Sequence, residues 1–319
     1  MTSQPPTRIL VISDTHGANL TTSNLEPVDL IIHCGDLTQE SKLDEYKQAI
    51  SLLRSLSAPL KLVIAGNHDF TLDTSVFAQK LIEAKLQPPQ KDKAVKQAYG
   101  DFGEVRALLE DQREAGIIFL DEGTHDIELG DGCSLRVYAS PYTPSKTGGW
   151  GYCYDPVEGH DWKIGKEIDI AITHGPPKGV LDYTYNKQRA GCSDLFGAIA
   201  KARPLMHCFG HIHESWGAKK VTWRGTECSE LPSHFTDIDN DNSELIENLV
   251  TLRPGKFDSA AEKKLKKAKL RELVQPGYRH TAPTLQRGMQ TLFVNAAIEG
   301  AETEMQQLPW LVELDLPRN

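Results

Sequence analysis

The chain has 319 residues, of which 39% are hydrophobic and 25% are charged, so it can bury a substantial core. Its formal net charge of −9 argues against a protein that grips nucleic acid or an anionic membrane through bulk positive charge. No apolar run approaches the roughly 18–20 residues that a membrane-spanning helix needs. The six cysteines are scattered, and the opening MTSQPPTRILVISD has no export signal, so we expect reduced thiols and a cytoplasmic protein.

The first part of the chain alternates predicted strands with a predicted helix. Apolar runs at 9–13, 29–34 and 60–65 are rich in β-branched residues, which predicts strands buried on both faces. Over 41–57 the apolar residues recur at helical spacing, and Pro59 ends that helix. The order strand, helix, strand predicts an α/β fold whose ligands bind beyond the carboxyl ends of the strands.

Further strands are predicted in the second part of the chain, at 116–121, 134–140, 168–172, 205–209 and 291–298. The loop 141–156 is rich in Gly, Pro and aromatic residues, so it would either line a pocket or form a surface turn. The stretch 224–290 differs in character, because it holds the acidic DIDNDNSE and the basic AEKKLKKAKLREL. We expect it to be a charged insertion with a solvated helix, and a lid or a subunit contact is the alternative.

Five of the predicted strands are followed by polar motifs, each of which alone would be an ordinary turn. The motifs are Asp14-Thr15-His16, Gly35-Asp36, Gly66-Asn67-His68-Asp69, His174-Gly175 and Gly210-His211-Ile212-His213. Because the carboxyl ends of parallel strands converge on one edge of a sheet, these groups can meet in space. Mixed carboxylate, imidazole and amide ligands suit Mn, Fe, Zn or Ni, and the absence of a thiolate cluster argues against a structural zinc site. Seven ligands suit two ions that share a bridging carboxylate, so we expect His211 and His213 to face one ion each.

The ordered set DTH, GD, GNHD, THG and GHIH resembles the calcineurin-like metallophosphoesterase superfamily, whose pattern is D-x-H, G-D, G-N-H-[DE], H and G-H-x-H. The match spans residues 14–213. ASPYTP, THGPPKGVLD, FGHIHE and LFVNAAI resemble the metallophosphoesterase-domain-containing (MPPED) branch of dimetal phosphodiesterases. The resemblance implies an α/β fold, a four-layer α-β-β-α sandwich of the metallophosphoesterase type. It would form one domain over 1–319, with the charged insertion at about 224–290.

The resemblance also implies a role for each motif residue. Asp14, His16 and His213 would hold the first ion, Asp36 would bridge, and Asn67, His174 and His211 would hold the second. His68 would stand near the leaving group, oriented by Asp69. The expected protein is a phosphoesterase, with phosphodiesterase activity favoured, that hydrolyses a small phosphate ester by attack of a metal-bridging hydroxide. It would carry two divalent ions per chain, with Mn favoured and Fe, Zn or Ni as alternatives.

Departures from other branches narrow the expected function. GDLTQES lacks the Asp-Arg-Gly of the protein Ser/Thr phosphatases, and Gln39 stands where purple acid phosphatases carry a tyrosine. A protein phosphatase and a tyrosinate-bound ferric ion are therefore not expected. The alternatives are a broad-specificity phosphomonoesterase and, from another class, a non-catalytic scaffold on the same fold. A nuclease is disfavoured because the chain is acidic and has no basic strip interleaved with aromatic residues.

Overall fold

The computed structural model describes residues 5–18, 20, 25–130, 132–299 and 307–316, apart from the side chains of 273 and 274. The strands in these ranges are β1 Thr7–Ile12, β2 Leu30–His33, β3 Leu60–Val63, β4 Ile117–Phe119, β5 Gly123–Glu128, β6 Ser134–Ser140, β7 Thr143–Pro144, β8 Cys153–Tyr154, β9 Ile170–Thr173, β10 Met206–Phe209, β11 Gly217–Trp223, β12 Ile238–Asn248, β13 Arg279–Thr281, β14 Gln290–Asn295 and β15 Trp310–Leu314. The α-helices are α1 Leu43–Ser55, α2 Thr74–Glu83, α3 Lys93–Tyr99, α4 Glu104–Glu110, α5 Ser193–Ala202, α6 Leu249–Leu252 and α7 Ala260–Val274. None of these helices has the length and apolar character needed to cross a membrane.

Six strands form the first sheet, in the order β13-β15-β1-β2-β3-β4. Strands β1 to β4 are parallel, with Ile9 opposite Leu30 and Leu30 opposite Leu60. Strand β15 is antiparallel to β1 and parallel to β13. The carboxyl ends of β1, β2 and β3 therefore lie side by side, which brings the residues that follow these strands to one edge of the sheet.

Seven strands form the second sheet, in the order β12-β11-β14-β10-β9-β6-β5. Strands β6, β9, β10 and β14 are parallel, and Met206 of β10 lies opposite both Ile170 and Leu292. Strands β5, β11 and β12 pair antiparallel with their neighbours. As in the first sheet, the carboxyl ends of two motif-bearing strands, β9 and β10, are neighbours.

The two sheets pack face to face, because successive side chains of a strand point to opposite faces and both faces are apolar. Ile9 and Val11 of the first sheet are fully buried in one cluster with Val137, Ile172 and Cys208 of the second. This cluster is the central layer of the core. It holds the two carboxyl edges in a fixed relation to each other.

Helices cover the outer faces of both sheets. On the first sheet, Leu10 and Ile12 of β1 pack in a cluster with Tyr46, Ile50 and Leu53 of α1. A matching cluster on the second sheet joins Phe209 and Phe293 to two side chains of α5, Phe196 and Ile199. The result is the four-layer α-β-β-α sandwich, so the predicted fold class is confirmed.

The predicted helix over 41–57 is α1, Leu43–Ser55, and the chain is extended again at Leu56, before Pro59. The pattern of strand ends alone suggested that the five motif-bearing strands share one sheet. They lie in two sheets instead. Three of them, β1, β2 and β3, lie in the first sheet, and β9 and β10 lie in the second. Their ends still meet, because the sheets stack with these edges next to each other.

The stretch 224–290 takes part in both sheets. Strand β12 includes most of the acidic stretch and forms the outer edge of the second sheet, while β13 forms the outer edge of the first. Between them, helix α7 is mostly solvent-exposed, and Leu265 on this helix is 71% exposed. Edge strands tolerate the charged side chains of this stretch because one side of each strand faces water.

Candidate metal centre

The polar residues after the five strands lie together where the two sheets meet. Among the described residues, three groups have ligand atoms that all lie within 4.8 Å of one another. The groups are Asp14, His16 and His213; His16, Asp36 and His68; and Asp36, His174 and His211. His16 and Asp36 each belong to two groups. The groups are therefore one continuous cluster with two lobes, joined through His16 and Asp36.

Close contacts within the cluster define the two lobes. In the first lobe, His213 Nε2 lies 3.1 Å from Asp14 Oδ1. In the second lobe, His174 Nε2 lies 3.2 Å from Asp36 Oδ2 and 3.0 Å from the side-chain oxygen of Asn67. Asn67 thus belongs to the second lobe, although it is neither an imidazole nor a carboxylate.

The backbone of the cluster is strained. Asp14, His16, Asp36 and His211 all have positive φ angles, of 53°, 46°, 54° and 66°, in the left-handed region that non-glycine residues seldom occupy. Such strain costs on the order of 1–3 kcal/mol per residue, so it persists only where the surrounding structure enforces it. Four strained residues in one cluster mark these turns as built for a purpose other than stability.

Glycines in the motifs allow the turns to approach one another. A Cβ atom at Gly66 would collide with the carboxylate of Asp36, and one at Gly210 would collide with the carboxylate of Asp14. The glycine before Asn67 and the glycine before His211 are therefore steric requirements of the cluster. This is the physical reason for the letter G in the motifs GNHD and GHIH.

Three histidines are held in the same way, through Nδ1. His16 Nδ1 lies 3.0 Å from the carbonyl oxygen of Thr38, and His174 Nδ1 lies 2.9 Å from that of Cys34. His68 Nδ1 lies 2.8 Å from the carbonyl oxygen of Gln39. Since a carbonyl only accepts, each Nδ1 is the protonated donor. Nε2 of each ring is then the atom that can bind an ion once it carries no proton, an orientation that hydrogen bonds to metal-binding histidines usually enforce.

Charges within the cluster shift its pKa values. Burial opposes the ionisation of Asp14, but the hydrogen bond and charge of His213 outweigh it and hold the pKa of Asp14 well below its usual value. Burial likewise opposes ionisation of Asp36, yet His174 lowers the pKa of Asp36 to about 2. Against the effect of burial, the two carboxylates raise the pKa of both His174 and His213 to about 9. Burial dominates at His211 and lowers its pKa to about 4.

The residues of the cluster fit two divalent ions. Among the described residues, His16 Nε2 is buried without a hydrogen-bond partner, which is costly unless something else binds it. The donor set combines carboxylate, imidazole and amide groups without thiolate, which suits Mn, Fe, Zn or Ni. Asp36, shared by two of the groups, stands where a carboxylate could contact both ions.

His68 and Asp69 are neighbours in sequence but are held by different contacts. The ring of His68 is fixed by the carbonyl of Gln39, and its backbone N–H donates to Asp36 Oδ1 at 2.8 Å. In the described part of the chain, the carboxylate of Asp69 accepts hydrogen bonds from Leu37, Thr38 and Gly66 and none from His68. The ring of His68, which the resemblance implied to be oriented by Asp69, is thus held by the backbone carbonyl of Gln39. Asp69 instead ties together the two loops that carry Asp36 and Asn67.

Asp69 is fully buried, and burial together with the charge of Asp36 raises its pKa to about 7. Hydrogen bonds from the backbone of Gly66, the side chain of Thr38 and the backbone of Leu37 act in the opposite direction. The carboxyl group of Asp69 therefore has a structural role in the site, and its own charge depends on burial, on Asp36 and on these hydrogen bonds.

The family profile described as calcineurin-like phosphoesterase matches residues 7–215 of the chain. The matched range contains every residue of the cluster. The chain belongs to this family.

Metallophosphoesterase domain-containing protein 1 of Homo sapiens is 33% identical over 226 residues, which cover 67% of this chain and 63% of the human protein. "Probable rhamnogalacturonate lyase C" of Emericella nidulans is 33% identical over 219 residues, or 68% of this chain and 18% of that protein. The chain thus spans less than two thirds of the length of these relatives.

Likeness to solved structures is weak. A protein of Thermus thermophilus has a TM-score of 0.38 at 15% identity, covering 64% of this chain and 81% of that chain. A purple acid phosphatase from yellow lupin seeds also has a TM-score of 0.38, at 12% identity, covering 98% of this chain and 47% of that chain.

Beside the family motifs, the metallophosphoesterase cluster has an aromatic neighbour that is not among the predicted site residues. The ring of Trp150 lies 4.3 Å from that of His68, centroid to centroid, and Trp150 remains 40% exposed. The next residue, Gly151, donates its N–H to the carbonyl of Asn67 and packs against the backbone of Phe70. A Cβ at Gly151 would lie 2.8 Å from Cα of Phe70, so a larger residue would push Trp150 away from the site. The glycine-rich, aromatic composition of 141–156 was the available signal.

A further carboxylate, that of Glu299, also lies at the cluster. Its Oε2 atom is 3.1 Å from His16 Nε2 and 3.9 Å from His213 Nδ1. The signal in the sequence was the same as at the other strands, because Glu299 follows the carboxyl end of β14. Glu299 is the first residue after the apolar run 291–298 that predicted this strand.

Proposed function

We propose that this protein is a dinuclear metal-dependent phosphoesterase that prefers phosphodiesters. The observation that carries the proposal is the two-lobed cluster, in which His16 and Asp36 each belong to two groups of potential ligands. Two ions held side by side can clamp the oxygens of one phosphoryl group, whereas a single ion would not need seven ligands. Membership of the calcineurin-like phosphoesterase family supports the same reaction class.

Each residue has a role in this proposal. Asp14, His16 and His213 hold one ion, Asp36 bridges, and Asn67, His174 and His211 hold the other. When bound, the two ions would supply Lewis acidity to the phosphoryl group and generate a nucleophile from water at neutral pH. Manganese is the favoured metal because the set mixes hard oxygen ligands with imidazoles.

His68 would assist the leaving group. Its Nδ1 is engaged by the carbonyl of Gln39, so the free Nε2 is the atom that can carry a proton to a departing oxygen. Its backbone N–H donates to Asp36, which fixes the residue at the border between the two lobes. Asp69 would act indirectly, by holding in place the loops that carry Asp36 and Asn67.

Trp150 supports a substrate with a planar leaving group. If His68 faces the leaving oxygen, the exposed part of the indole beside it faces the rest of the leaving group. Aromatic surface favours aryl or nucleobase groups through stacking, worth about 1–3 kcal/mol per base. Aryl and nucleotide esters are therefore preferred over simple alkyl esters in this proposal. The preference for diesters such as cyclic nucleotides or aryl diesters rests instead on the resemblance to the dimetal phosphodiesterases and on GDLTQES, which lacks the Arg of the protein Ser/Thr phosphatases.

We further propose that 1–319 is a single metallophosphoesterase domain in which about 224–290 is a charged insertion. Its support is the position of α7, which is mostly exposed to solvent and supplies none of the residues of the three ligand groups. The edge strands β12 and β13 would anchor the insertion to the sandwich.

The test is metal analysis of protein purified without chelator, followed by assays of matched mono- and diesters with Mn, Ni and Zn. We expect two ions per chain and faster hydrolysis of diesters, lost after chelation and restored by metal. Faster hydrolysis of monoesters would favour the phosphomonoesterase alternative. Two bound ions without hydrolysis of any ester would favour the scaffold.

A further inference from the structure

Glu299 lies at the open side of the lobe formed by Asp14, His16 and His213. Its carboxylate approaches two of the three residues, at 3.1 Å from His16 Nε2 and 3.9 Å from His213 Nδ1. Its side chain is 42% exposed, whereas that of His16 is only 5% exposed. The carboxylate therefore reaches from the solvent side toward a nearly buried ring.

The backbone around Glu299 is fixed to the site by hydrogen bonds. The N–H groups of Ile298 and Glu299 donate to the carbonyls of Ser13 and Asp14, at 2.9 and 3.3 Å. The side-chain amide of Gln307 donates both to the carbonyl of Glu299, at 3.2 Å, and to that of His213, at 3.0 Å. Glu299 is thus tied to the backbone of two residues of the lobe, so its side chain begins at a defined place.

The contact between Glu299 and His16 is close but is not a hydrogen bond. Although the carboxylate oxygen is 3.1 Å away, His16 Nε2 has no hydrogen-bond partner among the described residues. Because Nδ1 of His16 donates to the carbonyl of Thr38, Nε2 can offer a lone pair, and a cation between this lone pair and the carboxylate would stabilise their close approach. Adjacent ligands of an octahedral ion, each about 2.1 Å from the metal, lie about 3 Å apart.

We infer that Glu299 is an additional ligand of the ion held by Asp14, His16 and His213. The inference rests on the proposed metal centre and extends it. With Glu299 and the bridging Asp36, this ion would have three carboxylate ligands, whereas the other ion would have only Asp36. Carboxylates suit hard ions such as Mn²⁺ more than Zn²⁺, so the two positions would differ in metal preference.

A nearby glutamate provides the matched control. Glu214 directly follows His213 in sequence, but its Oε1 accepts the backbone N–H of Tyr185 at 3.0 Å. Within the part of the chain that the structure describes, the carboxylate of Glu214 makes no hydrogen bond or ion pair with Asp14, His16 or His213. Glu214→Gln therefore removes a negative charge near the site without removing the proposed ligand.

The experiment compares metal binding by the full chain and its Glu299→Gln, Glu299→Ala and Glu214→Gln variants. Each protein is freed of metal, checked by circular dichroism and titrated with Mn²⁺ and with Zn²⁺ in a calorimeter. We expect the Glu299 variants to bind one of the two Mn²⁺ ions about tenfold or more weakly, with a smaller loss for Zn²⁺. Glu214→Gln should bind both metals like the unmodified protein.

Water-proton relaxation of the Mn²⁺-loaded proteins separates a ligand from a mere neighbour. Loss of a ligand opens a position to water, so we expect Glu299→Ala to show more metal-bound water than the unmodified chain. Weaker binding without this gain would overturn the assignment, as would unchanged affinity in folded Glu299 variants. If the unmodified chain bound no ions at all, the proposed metal centre itself would fail.

Discussion

The cluster at the sheet edges and the charged helix α7 both consist of ionisable residues, but they are built in opposite ways. In the cluster, Asp14 and His174 are fully buried and the backbone of four residues is strained. Along α7, the side chains of Lys264 and Lys267 are exposed, and the helix has ordinary caps at its start. Burial of ionisable groups and backbone strain both cost free energy. A protein retains such a costly arrangement where it performs a task.

Ionisable residues therefore carry information about function mainly where they are buried. Charged groups in water interact weakly, so many other polar side chains could replace a run of lysines on a helix surface. Buried carboxylates and imidazoles interact strongly, and each must be paired or bind a ligand. Substitutions at the cluster should therefore act on metal and reaction, whereas most substitutions on α7 should act on neither.

The largest expected effect is that of Asp36→Asn. Asp36 belongs to two ligand groups, so the loss of its charge should weaken both ions at once. We expect the variant to have no measurable turnover and fewer than two ions per chain, as determined by elemental analysis. Lys267→Ala is the matched control and should retain both ions. A variant with two ions and unchanged turnover would show that Asp36 is not a bridge.

The next effect in size is that of His68→Ala, and it should depend on the leaving group. General acid catalysis contributes about 10²–10⁴-fold when the departing oxygen needs a proton. A nitrophenolate leaves readily as an anion, so the rate on nitrophenyl esters should fall little. The rate on alkyl or nucleoside esters should fall by about 10²-fold or more. Parallel kinetic assays of both ester types, with metal analysis of the variant, test this expectation.

Two results would contradict the role of His68. Loss of an ion would make His68 a ligand, which its place in a group with His16 and Asp36 allows geometrically. An equal loss of rate on every leaving group would indicate that His68 stabilises the phosphoryl oxygens instead.

Metal binding should release protons, because the cluster is partly protonated without metal. His174 and His213 have pKa values of about 9, so both are charged near neutral pH and must become neutral to bind a metal. We expect about two protons to be released per chain at about pH 7 and far fewer at about pH 10, where both rings are already neutral. Calorimetry in buffers of different ionisation enthalpy measures this number. A release that does not change between the two pH values would show that these histidines do not titrate on binding.

The motif residues of the site could be predicted because each directly follows a strand, and strand ends are visible in the sequence. The contacts that orient His68 could not. Gln39 acts through its backbone carbonyl, which has no sequence signature, and Trp150 contacts His68 from a distant part of the chain. Glu299 had the right signal but followed a strand that lies outside the family motifs.

The fold shows the same division between local and long-range information. The apolar runs predicted the strands because fully buried strands have a distinctive composition. The assignment of those strands to two sheets required the packing of both faces, which no single run records. The acidic stretch near 240 forms edge strand β12, because an edge strand tolerates charge on its solvent side.

The smallest expected effect distinguishes the lysines within α7 itself. Lys269 differs from the exposed lysines of this helix because its Nζ lies 2.8 Å from Oε2 of Glu247, whose side chain is fully buried. Arg279 is the second cation near this carboxylate, with its Nε 3.6 Å from the same oxygen. Removing one partner of a buried ion pair costs about 3–5 kcal/mol, but Lys269 is partly exposed and Arg279 stays.

We therefore expect Lys269→Ala to lower the free energy of unfolding by about 1–2 kcal/mol, as measured by urea denaturation. Lys264→Ala and Lys267→Ala should change it by less than about 0.5 kcal/mol, because both side chains are exposed. All three variants should keep their metal content, since α7 supplies no residue of the ligand groups. Equal effects of the three substitutions would mean that Glu247 does not depend on Lys269. The carboxylate would then be neutralised by Arg279 alone, and α7 would have no charged anchor on the second sheet.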